Sequence, residues 1–393
     1  MKIVLFNQFF WPDTVATSQI LTEVARGLAK EHEVTAICGG GGAETSVAGG
    51  IPRPNVNILR IHNAGFGHST PARVASYMTY LVGVIWHCCL IRRPDCFVTL
   101  TTPPILSVIG SFFARARHIR HVIWEMDVYP DIATDLEYFK KGGVVELFSG
   151  TVIDWSRRRA DAIIVLGEDM KTRLMARGFP ENKIHVAENW ANGLEIAPVP
   201  FSDGPLTVHY SGNLGLAHEV ETITAVMERL ANNPHFRFIF AGGGPRRAQL
   251  ETRCRERLIQ NVEFRPFCSN AQLGQSLAEG HLGLITQIPE TLGSIVPSKT
   301  YGLMAAGRPL LFIGPAESTP ARHIRSFNCG WHIQPGDVDG VIALLQHLNV
   351  NRHLLGEAGL RGRMAFDRHF DCPIGVGRIL AVVLASNPRN PHA

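Results

Sequence analysis

The chain has 393 residues, of which 45% are hydrophobic and 18% are charged. This composition is too apolar for a disordered protein, and the length is enough for two domains of about 200 residues each. Lysine and arginine together number 38, against 34 aspartates and glutamates, which gives a net charge of +4. So small an excess of positive charge argues against nucleic acid as the main partner.

The cysteines and the first residues indicate the compartment. The eight cysteines form no CxxC pair and no regular framework, so reduced thiols in the cytosol are the simplest interpretation. The apolar run from Ile3 to Phe6 is too short for a signal peptide, and no small-residue cleavage site follows it. The 17 histidines show no metal-ligand spacing. We therefore expect a cytoplasmic protein that binds no metal.

In chain order, the first half alternates short apolar runs with longer helical patterns. The apolar runs predict strands at residues 3–6, 33–38, 56–61, 96–99, 121–124 and 162–166. The stretches between them predict helices at residues 18–30, 72–90, 104–116, 144–159 and 169–177. Strands that alternate with helices predict a Rossmann-like α/β domain, in which a parallel sheet is covered on both faces.

A change of composition separates the two halves. Residues 191–205 are rich in asparagine, glycine and proline and predict a linker. The alternation then restarts, with strands predicted at residues 206–211, 236–241, 262–264, 282–286 and 309–313 and mostly helices elsewhere. We predict two doubly wound α/β domains that face a cleft, at residues 1–190 and 206–370. We expect residues 371–393 to form a C-terminal helix and tail that pack back on the first domain.

One stretch raises the question of a membrane. From Val74 to Ile91 the chain has no aspartate, glutamate, lysine or arginine across 18 positions, which is the lower limit for crossing a bilayer. A buried helix is favoured, while a helix lying on the bilayer and a membrane span stay open. A basic cluster at residues 115–121 is interpreted as a solvated turn, with attraction to anionic lipid as the alternative. A helix on the bilayer would place the protein at the inner face of the membrane.

Four loops at strand ends are candidate binding sites. The first follows the first predicted strand and ends before a helix, where free N–H groups suit an anion or a sugar hydroxyl. It lacks GxGxxG, which argues against an ordinary dinucleotide site. A helix start capped by Thr17 or Ser18 is an equally open interpretation. The candidate ligand-facing residues of this loop are Phe10, Trp11, Thr17 and Ser18, with Thr14 between them.

Two glycine-rich loops follow strands of the second half. Gly212 and Gly215 come directly after its first strand, where glycines let backbone N–H groups approach a phosphate. Residues 242–244 are three glycines that turn into the next helix. The arginines that follow, Arg246 and Arg247, either contact a phosphate or are solvated.

The fourth loop leads into a helix that Pro297 and Ser298 open and Gly307 closes. Lys299 then lies in the first turn, where the helix dipole disfavours a cation. A lysine placed against that preference indicates an anionic ligand shared between its ammonium group and free N–H groups.

Together these motifs resemble those of the family 4 glycosyltransferases, whose GT-B architecture has two Rossmann-like domains. The resemblance runs over nearly the whole chain. It is carried by residues 2–6 with their long loop, by WEMDVYPD at 124–131, by SGNLG at 211–215, by GGGP at 242–245, and by PSK through AAGRP at 297–309.

The resemblance implies a retaining transfer of a sugar from a nucleoside-diphosphate donor, expected to be a UDP-sugar, to a glycan or polyprenyl-linked acceptor in surface polysaccharide synthesis. The donor would lie on the second domain and the acceptor on the first, where the acceptor-side residues would be Phe10, Trp11, Thr17 and Ser18. No metal would be required, because fixed donors stabilise the departing diphosphate. The implied catalytic residues are Asp127, near the reacting sugar, and Lys299. The implied donor-binding residues are Gly212, Asn213, Gly215, His218, Gly243, Arg246, Phe267, Ser294, Pro297, Ser298, Lys299 and Thr300.

The chain departs from the family pattern at four positions. Many members have an arginine and a lysine where this chain has Asn213 and His218, and glutamates where it has Ser294 and Gly302. A protonated His218 would donate to phosphate, but its charge near neutral pH depends on its surroundings. Two alternatives therefore stay open: a GT-B sugar-nucleotide epimerase, and a non-catalytic accessory protein that binds nucleotide sugars.

Overall fold

The computed structural model describes residues 1–13, 15–40, 52–65 and 70–385. The chain forms two compact units, of which the first comprises Met1–Glu188 with Pro373–Ala393 and the second Asn189–Cys372. The segment expected to be a linker, 191–205, belongs to the second unit. Thr14 and the predicted tail at 386–393 lie outside the described residues.

The first unit contains a seven-stranded parallel sheet. Its strands are β1 (Lys2–Phe6), β2 (Glu33–Gly39), β3 (Asn57–Ile61), β4 (Cys96–Thr99), β5 (Arg120–Trp124), β6 (Ala162–Val165) and β7 (Ile184–Val186). The connecting helices are α1 (Ala16–Leu28), α2 (Thr70–Leu90), α3 (Leu106–Arg117), α4 (Asp131–Asp135), α5 (Val144–Arg159) and α6 (Glu168–Ala176). The strand order is β3-β2-β1-β4-β5-β6-β7, as in a doubly wound fold.

The second unit repeats the plan with six parallel strands in the order β10-β9-β8-β11-β12-β13. They are β8 (Leu206–Ser211), β9 (Phe236–Ala241), β10 (Val262–Arg265), β11 (Leu282–Thr286), β12 (Leu310–Ile313) and β13 (Gly330–Ile333). The helices are α7 (Glu221–Arg229), α8 (Pro245–Glu256), α9 (Asn270–Ala278), α10 (Lys299–Ala305), α11 (Thr319–Phe327), α12 (Val338–Val350) and α13 (His353–His369). The two-sheet α/β prediction is confirmed.

The sheet order fixes where a ligand site belongs. In the second unit β8 pairs with β9 on one side and with β11 on the other, so the chain reverses its direction across the sheet at β8. Ligands of doubly wound folds bind outside the carboxyl ends of the strands at such a switch point. The loops that follow β8, β9 and β11 therefore meet at the expected binding edge.

The last helix, α14 (Cys372–Val383), returns to the first unit. It packs against α1 so closely that a Cβ on Gly27 would lie 2.7 Å from Cγ1 of Val376. Arg120 of β5 also donates from Nη2 to the carbonyl of Val382 at 2.8 Å. These contacts attach the C-terminal helix to the helix and sheet of the first unit.

The helix α2 differs from the favoured expectation of a buried helix. Tyr80, Leu81, Val84 and Cys88 are buried, but the opposite face is exposed although it is also apolar. Within the described ranges, no helix is long and apolar enough to cross a membrane.

The basic cluster at residues 115–121 is not one solvated turn. Arg115, Arg117 and His118 are exposed at the end of α3, whereas Arg120 and His121 are buried in β5. The His121 ring lies between hydroxyl groups, with Nε2 2.9 Å from Thr99 Oγ1 and Nδ1 2.9 Å from Ser111 Oγ. The strand therefore buries part of the sequence that we expected at the surface.

A glycine substitution tests the switch-point geometry. Gly242 has a φ of +129°, and a Cβ there would lie 2.0 Å from the carbonyl oxygen of Gly212. We expect Gly242→Ala to lower the free energy of unfolding by at least about 1–3 kcal/mol, because the backbone strain alone has that size. Denaturant unfolding of the second unit measures the loss.

The matched control is Gly356→Ala. Gly356 lies inside α13, and a Cβ there would meet no atom within 4 Å. We expect this change to be neutral or to stabilise the helix by up to about 1 kcal/mol, because alanine has the higher helix propensity. Equal destabilisation by both variants would contradict the role assigned to Gly242.

Candidate active site

Two glycine loops at the carboxyl ends of β8 and β9 are hydrogen-bonded to each other. The N–H of Leu214 donates to the carbonyl of Gly243 at 2.7 Å, and the N–H of Arg246 donates to the carbonyl of Leu214 at 3.1 Å. By contrast, the N–H groups of Asn213, Gly215 and Gly243 have no acceptor among the described residues. Free N–H groups on a rigid loop pair are suited to bind an anion.

The side chain of Lys299 reaches this loop pair from the start of α10. Its Nζ donates to the carbonyl of Asn213 at 3.3 Å and lies 5.0 Å from the centroid of the Tyr210 ring. Its Cε is so close to Gly212 that a Cβ there would lie 2.7 Å away. No carboxylate pairs with Lys299 in the part of the chain that the structure describes. Burial lowers the pKa of its ammonium group to about 8.

His218 holds the ammonium group of Lys299 from the other side. Its Nδ1 lies 2.9 Å from the carbonyl oxygen of Thr286, which only accepts, so Nδ1 carries the proton. The acceptor is then Nε2, which lies 3.4 Å from Nζ of Lys299 and 3.3 Å from the hydroxyl of Tyr210. Burial, and secondarily the charge of Lys299, lowers the pKa of His218 to about 3.

The low pKa answers the question of charge that the sequence left open for His218. At neutral pH the ring is uncharged, so it brings no positive charge to a phosphate. Its Nε2 accepts from the ammonium group of Lys299 instead.

Arg246 and Phe267 lie on the β9 side of the loops. Arg246 is in the first turn of α8 and forms no ion pair with any described residue. Its neighbour Arg247 is 3.7 Å from the Glu251 carboxylate, so that charge is already partnered. The ring of Phe267 is 62% exposed and lies against Gly243, where a Cβ would come within 2.9 Å of it.

The residues before α10 are engaged within their own loop. Ser294 is fully buried and donates to the carbonyl of Thr291 at 3.0 Å. Thr300 is buried and donates to the carbonyl of Pro297 at 3.1 Å. Ser298, at the N-cap position of α10, is exposed. The hydroxyls of Ser294 and Thr300 therefore shape the loop that carries Lys299.

In the first unit, Asp127 follows β5 on a segment held by a buried ion pair. Arg157 is fully buried, with Nε 2.8 Å from Glu125 Oε1, and it also donates from Nη2 to the carbonyl of Tyr129 at 2.8 Å. Asp127 itself forms no hydrogen bond or ion pair with another described residue. Burial, and secondarily the charge of Glu125, raises the pKa of Asp127 to about 6.

The loop after β1 departs from its predicted form. The helix α1 starts before Thr17 and Ser18, with Val15 at its N-cap position and no capping side chain. The interpretation of Thr17 or Ser18 as a cap is therefore wrong. Phe10 is 1% exposed and Ser18 is fully buried, so both side chains belong to the interior of the first unit.

The other two predicted residues of this loop are only half-buried. Arg60 donates to the carbonyl of Trp11, and the guanidinium of Arg53 lies 6.0 Å from the centroid of its ring. Thr17 lies in the first turn of α1. Trp11 and Thr17 thus remain accessible where Phe10 and Ser18 do not.

Comparison with known proteins shows what the chain is similar to. Residues 16–190 match the glycosyl transferase 4-like domain. WbjE of Pseudomonas aeruginosa, named a probable glycosyltransferase, is 24% identical over 267 residues, which cover 65% of this chain and 66% of WbjE. Residues 16–190 of this chain therefore form a glycosyl transferase 4-like domain.

Two further similarities support that assignment. WcaI of Escherichia coli K12, named a putative colanic acid biosynthesis glycosyl transferase, is 22% identical over 279 residues, which cover 66% of this glycosyltransferase and 68% of WcaI. The structure of HepE from Anabaena in complex with UDP and glucose superimposes with a TM-score of 0.74 at 14% identity, over 98% of this chain and 100% of HepE. The fold is therefore GT-B, and the chain spans about two thirds of the curated relatives that it matches.

Tyr210 and Arg157 support candidate residues but were not themselves among the predicted site residues. Tyr210 donates from its hydroxyl to the carbonyl of Asn213 at 2.7 Å and supports Lys299 with its ring. Its place at the end of a buried strand beside the glycine loop was the available signal. No sequence signal pointed to Arg157, because three consecutive arginines end α5 and the sequence does not show which one points inward.

Proposed function

We propose that this glycosyltransferase moves a sugar from a UDP-sugar, with retention of configuration, to a glycan or lipid-linked acceptor of surface polysaccharide synthesis. The names of the similar proteins support the pathway and the donor, since WcaI is assigned to colanic acid biosynthesis and HepE was solved with UDP and glucose. The donor would bind the second unit, and Asp127 is the proposed catalytic carboxylate.

The observation that carries the proposal is the pair of cations at the glycine loops. Lys299 and Arg246 have no carboxylate partner among the described residues, and they flank free N–H groups of the loops. Breaking the glycosidic bond of the donor leaves a diphosphate with increased negative charge. Two cations and several N–H groups fixed around that charge would stabilise it without a metal, so we propose that the reaction needs none.

The proposed location is the cytoplasm, at the inner face of the membrane. All eight cysteines are free thiols, as expected for a reducing compartment.

Calorimetric titration with UDP, GDP and ADP, without metal and then with Mg²⁺, tests the donor assignment. We expect selective binding of UDP without metal. Arg246→Ala is expected to weaken UDP binding by about 10- to 100-fold, because a hydrogen bond to a charged group contributes about 1.5–3 kcal/mol. The matched control is Arg255→Ala, a change on the exposed side of the same helix, which should bind as the wild type does.

Two results would contradict the proposal. If no nucleotide binds, the changes at Asn213, His218, Ser294 and Gly302 have removed the donor site. If UDP binds tightly but no acceptor preparation is ever glycosylated, the accessory function applies instead.

A further inference from the structure

The exposed face of α2 is a continuous apolar stripe. Six large apolar side chains are between 44% and 64% exposed, and most of them are spaced three or four residues apart, which puts them on one side of the helix. They are Val74, Met78, Val82, Ile85, Trp86 and Leu90. No charged residue interrupts them, whereas an ordinary surface helix has charged residues at its solvent-facing positions.

The helix that carries this α2 stripe is firmly attached to the sheet. Tyr80 and Val84, on the opposite side, are buried, and the Tyr80 hydroxyl donates to the carbonyl of Ile37 at 2.9 Å. A Cβ on Gly83 would lie 2.3 Å from Ile61, so the helix already lies as close to β3 as its backbone allows. The stripe is thus presented outward by a fixed element.

Positive charge borders the α2 stripe. Residues 70–120 contain six arginines and a single acidic residue, Asp95. Arg117 donates to the carbonyls of Cys88 and Ile91 at 2.8 and 2.7 Å, which holds the end of α3 against the end of α2. Arg92, Arg93 and Arg115 are exposed in this region, and Arg115 follows the exposed Phe112 by less than one turn.

We propose that the α2 stripe and its arginine border dock on an anionic phospholipid bilayer, with α2 lying in the plane of the interface. An amphipathic helix with an aromatic residue on its apolar face and basic residues around it binds this boundary. Arginines near the surface add attraction to anionic headgroups. A second copy of this face is a poor partner, because it would bring two sets of arginines together.

The inference deepens the proposed function at one point, since it says where a lipid-linked acceptor is met. Tyr77, on the same helix, is close enough to Asp127 for that carboxylate to help raise its pKa, after the larger effect of burial. The bilayer-facing helix therefore reaches the region of the proposed catalytic carboxylate.

Flotation of the full chain with lipid vesicles, without donor or acceptor, tests the inference. We expect binding to vesicles of phosphatidylcholine with about one third phosphatidylglycerol, and at least about tenfold weaker binding to phosphatidylcholine alone.

The double variant Val82→Glu/Trp86→Glu should lose binding to the anionic vesicles. Arg92→Ala/Arg93→Ala should weaken it by about fivefold for each arginine. Val350→Glu, a change at an 82% exposed apolar position of the second unit, is the matched control and should bind normally.

Three results would overturn the inference. They are absence of vesicle binding by the folded wild type, unchanged binding by Val82→Glu/Trp86→Glu, and a wild-type dimer that this double variant converts to a monomer without any vesicle binding. An unchanged circular dichroism spectrum and an unchanged unfolding transition show that each variant is folded. Because the vesicle experiment contains no sugar nucleotide, its failure would leave the proposed transfer reaction intact, and a failed UDP titration would leave the lipid face intact.

Discussion

Replacing Lys299 by methionine is expected to lower kcat/KM for sugar transfer by about 10²- to 10³-fold, which is the loss seen when one preorganised donor to a developing charge is removed. Methionine keeps the length and the apolar stem of the side chain, so the packing against Gly212 is preserved. The lost part is the ammonium group that His218 and the carbonyl of Asn213 hold in place. Steady-state kinetics measures the effect, with Lys141→Met, a change at an exposed lysine of the first unit, as the control.

The pH dependence gives an independent test of Lys299. Its pKa is lowered to about 8, so the ammonium group loses its proton as the pH rises through 8. If the charged form stabilises the leaving diphosphate, activity should fall about tenfold per pH unit above that value. Lys299→Arg keeps the charge at high pH and should remove the fall. A wild-type rate that stays flat up to pH 10 would exclude Lys299 from the reaction.

Asp127→Asn is expected to lower kcat by about 10²-fold or more while the KM for the donor stays within about twofold. The amide keeps the shape of the side chain and removes only the negative charge, which would stabilise positive charge on the reacting sugar. The pKa of Asp127 is raised to about 6, so the carboxylate form is lost as the pH falls through 6. The wild-type rate should therefore decline below pH 6.

Stability distinguishes a catalytic Asp127 from a structural one. A carboxyl group whose pKa is raised in the folded state favours folding when protonated, and this contribution is lost as the pH rises through 6. At pH 7.5 the Asp127→Asn variant should therefore have a Tm equal to or above that of the wild type. A lower Tm together with an unchanged rate would place Asp127 in a structural role. Asp203→Asn, at an exposed position of the second unit, should change neither quantity.

Much of the fold follows from the sequence, because strands buried on both faces are read as apolar runs. The strands β8 and β9 were predicted with their observed bounds. The strand β13 was missed in a region expected to be mostly helical. It has only four residues, including Trp331 and His332, and all four are half-buried. Four residues are too few to show the alternation of apolar and polar side chains that identifies a strand. The strand β7, with three residues, was missed for the same reason.

The candidate site was only partly predictable. Lys299 was identified because a lysine at a helix start is locally unfavourable. The structure places its ammonium group against the loop at Gly212 and Asn213. The neutral state of His218 could not be predicted, because it depends on burial and on the charge of Lys299, 81 residues further along the chain. The roles of Asp127 and Lys299 in the reaction stay predictions.

The return of α14 to the first unit has a consequence for synthesis. The first unit is interrupted in sequence by the whole of the second, so the ribosome releases residues 1–188 long before the helix that covers α1 exists. During that interval the surface of α1 around Gly27 is open, and the second unit completes its sheet first. A fragment ending at residue 372 would leave this surface bare permanently. If the two units are expressed as separate chains, α14 should therefore be fused to the first unit.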